Sequence, residues 1–192
     1  MKYYILFGPP GAGKGTQAGA IAEKYNVKHI STGALLRAEI AAGTEVGIEA
    51  KKLIEKGNLV SDDMVEEMLE NYFASTRDTE GYLLDGFPRT LNQARDLDRL
   101  LAKKGEEVSA VISLMIPDSV IAERIQHRAA IEGRADDADM NVIKTRIATY
   151  HAQTEPIIDF YREAGKYHEV DGTGSIDEVK NKVSVLMDAL HK

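Results

Sequence analysis

A glycine-rich loop near the start of the chain has the residue types and the spacing to bind phosphate. Residues 8–14 read GPPGAGK, which fits the pattern G-x-x-x-x-G-K, and they lie between an apolar run and a segment with helical periodicity. In this context the glycines let the backbone curl so that successive amides point at phosphate oxygens, and the positive end of the following helix adds to the attraction. Lys14 supplies a mobile charge for β and γ phosphates. We therefore predict a phosphate-binding loop; the alternative is an ordinary turn between strand and helix.

The residue after the lysine departs from the general pattern. Serine or threonine usually follows it and binds magnesium through the hydroxyl, whereas this chain has Gly15 there and Thr16 one place later. A triphosphate still needs Mg²⁺ to offset its charge. We therefore expect phosphate oxygens and waters to hold the ion, with no direct protein ligand.

A carboxylate and an arginine flank a tight turn in the middle of the chain. An apolar run ends at Asp85, and the turn GFP leads to Arg89. At the carboxyl end of a parallel strand, Asp85 would lie beside the phosphate loop, where we predict that it orients waters around Mg²⁺ from the second shell. The planar guanidinium of Arg89 suits a bidentate phosphate contact. The alternatives are that Asp85 caps the turn and that Arg89 lies on the surface.

Short apolar runs alternate with longer stretches of helical periodicity, which predicts a parallel sheet with helices on both faces. The predicted strands are residues 3–7, 27–30, 82–85, 108–116 and 167–170. The predicted helices are residues 14–25, 33–42, 46–56, 62–75, 91–103, 119–128, 140–163 and 176–190. Thr32, Ser61 and Ser175 are the candidate amino-terminal caps.

Two segments interrupt the alternation within one compact body. Residues 31–60 offer helices and no strand, which indicates a small helical insertion. Residues 129–137 are polar and turn-like between two helices. This second excursion is too short to be a domain.

Composition excludes several classes of function. The chain has 192 residues, 43% of them hydrophobic, and a net charge of −7, which argues against broad attachment to nucleic acid or to anionic membrane. It has no cysteine, so disulfides, thiolate zinc sites and cysteine nucleophiles are excluded. The glycine loop follows the start so closely that we expect no signal peptide, and no run approaches the ~20 apolar residues of a membrane span. A cytoplasmic location is the expectation.

The motifs follow one another in an order that resembles the adenylate kinase family. The resemblance covers essentially the whole chain, and it is more specific than a lone phosphate loop because unrelated loop-containing proteins lack the other motifs in that order. The segments that carry it are residues 8–16, Ser31-Thr32-Gly33 with Arg37, residues 57–60, residues 85–89, Gln93 and Asp171-Gly172-Thr173-Gly174.

The resemblance implies an α/β fold of the P-loop NTPase type, with a five-stranded parallel sheet sandwiched by helices. The core would comprise residues 1–30, 61–126 and 138–192, the helical NMP-binding domain residues 31–60, and a short lid residues 127–137. With so short a lid and no cysteine, we expect no structural zinc.

The same resemblance assigns candidate site residues. For ATP they are Gly11, Ala12, Gly13, Lys14, Gly15, Thr16, Arg128 and Gly174. For AMP they are Thr32, Arg37, Asn58, Leu59, Val60, Gly86, Phe87, Pro88, Arg89, Gln93, Arg134 and Arg146. The catalytic set is Lys14, Arg89, Arg124, Arg128, Arg134 and Arg146.

Arginine-rich spacing supports a phosphoryl-transfer site. Arg124 and Arg128 are four residues apart, so on a helix they project from one face. The alternative is a solvated basic face paired with Glu123 and Glu132. Phosphoryl transfer needs positioning and charge stabilisation more than covalent help, and an ionised phosphate acceptor needs no general base.

The resemblance implies reversible, Mg²⁺-dependent transfer between ATP and AMP to give two ADP, by a monomer that binds neither nucleic acid nor membrane. A UMP/CMP kinase is the nearest alternative because it would share much of the scaffold. A second alternative is a non-catalytic nucleotide-binding switch. GTP-dependent switches usually carry N-K-x-D, and the nearest string here, Asn181-Lys182-Val183-Ser184, lacks the aspartate.

Overall fold

A computed structural model of the protein describes residues 1–76, 78–133 and 138–191. These residues contain one sheet in which every strand pairs in parallel with its neighbours, in the order β2-β3-β1-β4-β5. The strands are β1 Lys2–Phe7, β2 Lys28–Ser31, β3 Gly81–Asp85, β4 Ala110–Met115 and β5 Tyr167–Asp171. The predicted five-stranded parallel α/β fold is thereby confirmed.

Helices connect the strands and cover both faces of the sheet. They are α1 Lys14–Lys24, α2 Thr32–Ala42, α3 Glu45–Ile54, α4 Asp62–Ser75, α5 Leu91–Ala102, α6 Asp118–Glu132, α7 Met140–Thr149, α8 Ile157–Glu163 and α9 Ile176–Leu190, with a π-helical segment Tyr150–Thr154 between α7 and α8. Within the described residues, no helix is long and apolar enough to cross a membrane.

The central strand β1 divides the hydrophobic core into two clusters. Successive side chains of a strand point to opposite faces, so Tyr3 and Ile5 join the cluster under α4, α5 and α8, whereas Tyr4 and Leu6 join the cluster under α1, α6 and α9. All four side chains are at most 1% exposed. Burial on both faces fixes the sheet that carries the loops at its carboxyl edge.

The register of the strands brings three loops together at that edge. Leu6 of β1 and Ser31 of β2 both pair with Asp85 of β3, so the phosphate loop, the start of α2 and the turn after Asp85 leave the sheet side by side. The strand order changes direction at β1. The strands that follow β1 in the chain, β2 and β3, lie on one side of it, and β4 and β5 lie on the other. Open parallel sheets bind ligands at such a position.

Three cap predictions have different outcomes. Thr32 as a cap is wrong: Ser31 precedes α2 in an extended conformation, and its Oγ accepts from the Ala34 amide at 3.2 Å, whereas Thr32 is already helical. Ser61 occupies the cap position of α4 without a side-chain bond. Ser175 is confirmed, because it and Glu178 form a complete capping box at the start of α9.

The single helix predicted over residues 140–163 is wrong. The structure divides it into α7, the π-helical segment and α8. Pro156 lacks the N–H that a continuous helix needs, and its ring would clash with the carbonyl four residues earlier. The wider π turn, in which the Glu155 amide donates to the Tyr150 carbonyl at 2.8 Å, accommodates it.

The helix predicted over residues 119–128 is longer than expected. α6 continues to Glu132 and ends at Gly133, whose φ is 63°. Residues 129–132 are therefore helical and not turn-like, because no glycine or proline interrupts them before Gly133. The rest of that excursion, residues 134–137, lies outside the described residues. The other predicted bounds agree with the structure within two residues.

Candidate active site

A cavity of about 970 Å³ opens at the carboxyl edge of the sheet. It is lined by every predicted site residue that the structure describes. Arg134 lies outside the described residues, so its place in the site stays a prediction. One cavity thus brings together segments that are far apart in the sequence.

The phosphate loop curls between β1 and α1 through glycines with positive φ. Gly11 and Gly13 have φ of 78° and 91°, which L side chains adopt only with strain. A Cβ added to Gly11 would lie 3.2 Å from Cγ1 of Ile125 and 3.3 Å from the Ile121 carbonyl oxygen, so the loop packs tightly against α6. That contact brings Arg124 of α6 beside the loop.

Lys14 begins α1 and folds back over the loop. Its Nζ donates to the carbonyl oxygens of Gly8 at 2.8 Å and Pro9 at 3.0 Å. Burial lowers the pKa of Lys14 to about 8; the charge of Asp85 opposes this shift, and the charges of Arg89, Arg146 and Arg128 add to it. Four cationic side chains therefore act on one another in this part of the cavity.

Asp85 is the carboxylate beside Lys14 in this cationic site. It ends β3 and is 9% exposed, and its Oδ2 lies 3.4 Å from Nε2 of His29. Burial opposes its ionisation, but the contact with His29 and the charges of Lys14 and Arg89 outweigh burial and lower the pKa of Asp85. Asp85 is therefore ionised near neutral pH.

The space beside Asp85 suits a hydrated cation. A Cβ added to Gly15 would meet only Oδ2 of Asp85, at 3.9 Å, so glycine leaves room between the loop and the carboxylate. Within the described residues no group of three or more His, Cys, Asp or Glu side chains could hold a metal ion. An ionised carboxylate with room beside it fits Mg²⁺ held through water and offers no closed protein cage.

The turn after Asp85 is held by Thr32 and Arg89. Gly86 has φ of 84°, and its carbonyl oxygen accepts from Thr32 Oγ1 at 3.0 Å and from Arg89 Nε at 2.7 Å. The Phe87–Pro88 peptide bond is cis. A Cβ added to Gly86 would lie 2.8 Å from Thr32 Oγ1. Glycine therefore lets the start of α2 lie against this turn.

Arg89 is fixed at both its backbone and its side chain. Its carbonyl oxygen accepts from Thr154 Oγ1 at 2.7 Å, and its amide donates to Gln93 Oε1 at 2.7 Å. Burial lowers the pKa of Arg89 to about 10, the charges of Arg146 and then Arg37 add to that effect, and Asp85 opposes it. The guanidinium nevertheless stays charged at neutral pH and is oriented for an anion.

Gln93 has a structural role in this structure. Its side chain is 2% exposed, and besides accepting from Arg89 it donates through Nε2 to Asp62 Oδ1 at 2.8 Å. Both ends of the amide thus bind protein groups and fix the start of α5 against α4. Its predicted reading of a base edge stays a prediction.

The helical insertion forms the opposite wall of the cavity. Thr32 is 3% exposed and links the start of α2 to Gly86. A Cβ added to Gly33 would lie 3.3 Å from Nη1 of Arg37, so the Arg37 guanidinium folds over this glycine. Asn58, Leu59 and Val60 line the cavity after α3.

Helices α6 and α7 complete the cationic wall. Arg124, Arg128 and Arg146 all line the cavity. Arg128 and Arg146 are close enough to affect the pKa of Lys14, whereas Arg124 is not among the groups that affect it. The structure thus places Arg89, Arg128 and Arg146 near Lys14, and the catalytic roles of these arginines and of Arg124 stay predictions.

Comparison with known proteins agrees with this architecture. The family model "Adenylate kinase" matches residues 6–166. The chain belongs to the adenylate kinase family. It is 45% identical over 185 residues to an adenylate kinase of Stenotrophomonas maltophilia (strain K279a), covering 96% of this chain and 98% of that protein. It is 42% identical over 190 residues to an adenylate kinase of Bacteroides thetaiotaomicron, covering 99% of this chain and all of that protein.

Sequence reasoning did not single out several polar residues that line the cavity of this adenylate kinase family member, among them Gln17, His29, His127 and Thr154. His29 could have been found, because it is a polar residue in the predicted strand 27–30, two positions before Ser31, and alternate residues of an extended chain point to the same side. Gln17 donates to the Ile176 carbonyl at 3.2 Å, which links α1 to α9. No sequence signal indicated Thr154, since its position depends on the π-helical segment.

Proposed function

We propose that this protein is an adenylate kinase that transfers the γ-phosphoryl group of Mg²⁺-bound ATP reversibly to AMP and forms two molecules of ADP. One observation carries the proposal: Lys14, Arg89, Arg128 and Arg146 meet in a single cavity between the phosphate loop and the helical insertion. We also propose that it works as a monomer in the cytoplasm, in keeping with its acidic composition and its lack of cysteine.

The donor binds on the side of the phosphate loop. The loop amides and the positive end of α1 face the triphosphate. Lys14 donates a hydrogen bond to it through the third N–H of its ammonium group, because the other two donate to the carbonyls of Gly8 and Pro9. The nucleoside lies toward Gly174 at the start of α9, which lines the same cavity. The bound polyphosphate favours the charged form of Lys14.

The acceptor binds on the side of the insertion. Arg37 and Arg89 contact its phosphate, and the segment from Asn58 to Val60 and the turn at Gly86 surround its base. The chemical support is a pair of neighbouring cations, in which the charge of Arg37 adds to the lowering of the pKa of Arg89. A dianionic phosphate relieves that repulsion.

The transfer step depends on position and charge. The phosphoryl group moves in line from donor to acceptor oxygen, while Arg128 and Arg146 offset the charge on its equatorial oxygens. Mg²⁺, when bound, would neutralise charge on the donor phosphates, and Asp85 would hold it through water. The acceptor phosphate is already ionised, so no side chain has to remove a proton.

Water must be kept from the same phosphoryl group. A closed cavity excludes it, and closure follows from the insertion and the lid segment, residues 127–137, meeting over the two nucleotides. Without closure, the cationic wall would also favour ATP hydrolysis.

Incubation of the purified protein with Mg²⁺ and ATP, and with AMP, CMP, UMP or GMP in turn, tests the proposal. We expect diphosphate formation with AMP to exceed that with each of the other acceptors. Preference for CMP or UMP would identify a UMP/CMP kinase. ATP binding without diphosphate formation from any acceptor would identify a nucleotide-binding switch.

A further inference from the structure

Gly57 forms a contact between the helical insertion and α7. It follows α3 and is buried, and it lies against the α7 helix that carries Arg146. A Cβ built on it would lie 2.9 Å from the Val142 carbonyl oxygen, 3.1 Å from Arg146 Cγ and 3.2 Å from Thr145 Cβ. The insertion and α7 therefore touch through bare backbone at this point.

Glycine at position 57 is not explained by the need to end a helix alone. The Gly57 amide donates to Ile54 and the Asn58 amide to Leu53, which is the bond pair of a Schellman motif. Gly43 ends α2 with the same pair of bonds, from its own amide to Ile40 and from Thr44 to Glu39. The two glycines have φ of 76° and 67°, yet a Cβ on Gly43 would meet nothing within 4 Å.

The contact acts on a side chain of the cationic wall. Gly57 abuts the aliphatic stem of Arg146, and the guanidinium of Arg146 affects the pKa of both Lys14 and Arg89. A side chain at position 57 would clash with the α7 backbone itself, at the Val142 carbonyl, which no rotamer change relieves. The insertion could then no longer reach α7, and the aliphatic stem of Arg146 would lose its packing contact with residue 57.

We infer that Gly57 is a positioning residue, whose docking on α7 couples closure of the insertion over AMP to placement of the Arg146 guanidinium. The inference rests on the proposed role of residues 31–60 as the acceptor-binding segment. The structure shows the insertion seated, with Gly57 against residues 142–146; AMP favours this seated arrangement over an open one, and the seated arrangement holds Arg146 in the position that transfer requires.

The matched glycines give a direct test by kinetics. We expect Gly57→Ala to lower kcat by about 10²-fold, the effect of a displacement of roughly 1 Å in a catalytic group, and to raise the KM for AMP more than that for ATP. Gly43→Ala imposes the same backbone strain and should leave kcat within about twofold of the wild type. Equal kcat values for the two variants, with both folded by circular dichroism, would overturn the inference.

A double-mutant cycle tests whether Gly57 acts through Arg146. If it does, Gly57→Ala should reduce kcat little further once Arg146→Ala is present. Independent effects, with the two fold-losses multiplying, would contradict coupling through that side chain. This comparison holds even if Gly57→Ala loses stability, provided that each variant is assayed below its unfolding transition.

Closure itself can be followed by distance measurements, because the chain has no cysteine and accepts two unique labels. Exposed Glu49 and Ala148, changed to Cys and spin-labelled, report the separation of insertion and α7. AMP should shorten the distance in the wild-type background and not in Gly57→Ala. No shortening in the wild type would refute the assignment of residues 31–60, whereas equal shortening in both would refute only the role of Gly57.

Discussion

Lys14 lies in a site that opposes its own charge. Burial lowers its pKa to about 8, and three arginines add to the shift, whereas Asp85 alone opposes it. A triphosphate brings the anionic charge that the site lacks. The protonation state of Lys14 should therefore respond to the donor.

We expect the affinity for Mg²⁺-bound ATP to fall as the pH rises above about 8, because the ammonium form of Lys14 binds phosphate and the neutral amine does not. The affinity should approach a tenfold loss per pH unit. Since the bound polyphosphate raises the pKa of Lys14, binding near pH 8.5 should take up a proton, which titration calorimetry in buffers of different ionisation enthalpy measures. Lys14→Arg should bind more weakly but lose this pH dependence, and a constant affinity from pH 7.5 to 9.5 would contradict the prediction.

Arg128 should act on the transition state more than on the fold. Removing an arginine that offsets transferring charge lowers turnover by about 10³-fold or more, so Arg128→Ala should lower kcat by that order in a coupled ADP-formation assay. Its melting temperature should change little, because the side chain lines an open cavity. Arg95→Ala, on the exposed surface of α5, is the control. Near-normal turnover of Arg128→Ala would reject this role.

At the scale of the elements, sequence patterns predicted the features that depend on residues close together in the chain. The apolar runs predicted every strand, because burial on both faces demands them, and the glycine spacing predicted the loop at Gly11 and Gly13. The helix start at Ser31 was missed because either of two adjacent hydroxyls could cap it. Thr32 instead bonds to Gly86, a contact that only the assembled sheet creates.

The π-helical segment shows why part of the site was not predictable. Helical periodicity continues through residues 140–163, and the width of the turn before Pro156 depends on packing against the sheet. This turn places Thr154 against the Arg89 carbonyl, 65 residues away in the chain. A contact between residues so far apart in the chain produces no recognisable spacing pattern in the sequence.

The Thr154 contact should stabilise the turn that holds Arg89. Thr154→Val keeps the shape of a side chain that is 7% exposed but leaves the Arg89 carbonyl without this donor. We expect a loss of about 1–3 kcal/mol in the free energy of unfolding, measured by urea denaturation. Thr154→Ser retains the hydroxyl and should lose clearly less. Little loss in Thr154→Val with a larger loss in Thr154→Ser would indicate that the methyl group, and not the hydrogen bond, matters.

At the scale of the whole molecule, an acidic protein concentrates cations in one cavity. The net charge is −7, yet Lys14, Arg37, Arg89, Arg128 and Arg146 all line that space. The lowered pKa values of Lys14 and Arg89 indicate that their charged forms are disfavoured in the free protein. The site is therefore built for a polyanion at the expense of the stability of the unliganded fold.

Lys14→Met should make the free protein more stable while abolishing transfer. The pKa of Lys14 is about 8 folded against 10.5 unfolded, so at pH 7 its burial as a cation costs about 3 kcal/mol. The loss of the bonds to Gly8 and Pro9 offsets part of this, which leaves an expected gain of about 1–2 kcal/mol.

The gain should depend on pH with a definite sign. Between pH 8 and 10.5 the unfolded chain binds more protons at Lys14 than the folded one, so the wild type gains stability with rising pH and the advantage of Lys14→Met shrinks. Urea unfolding without nucleotide at pH 7 and pH 10 measures both effects. A variant less stable than the wild type at pH 7 would contradict them, because the bonds of the ammonium group would then outweigh the burial of its charge.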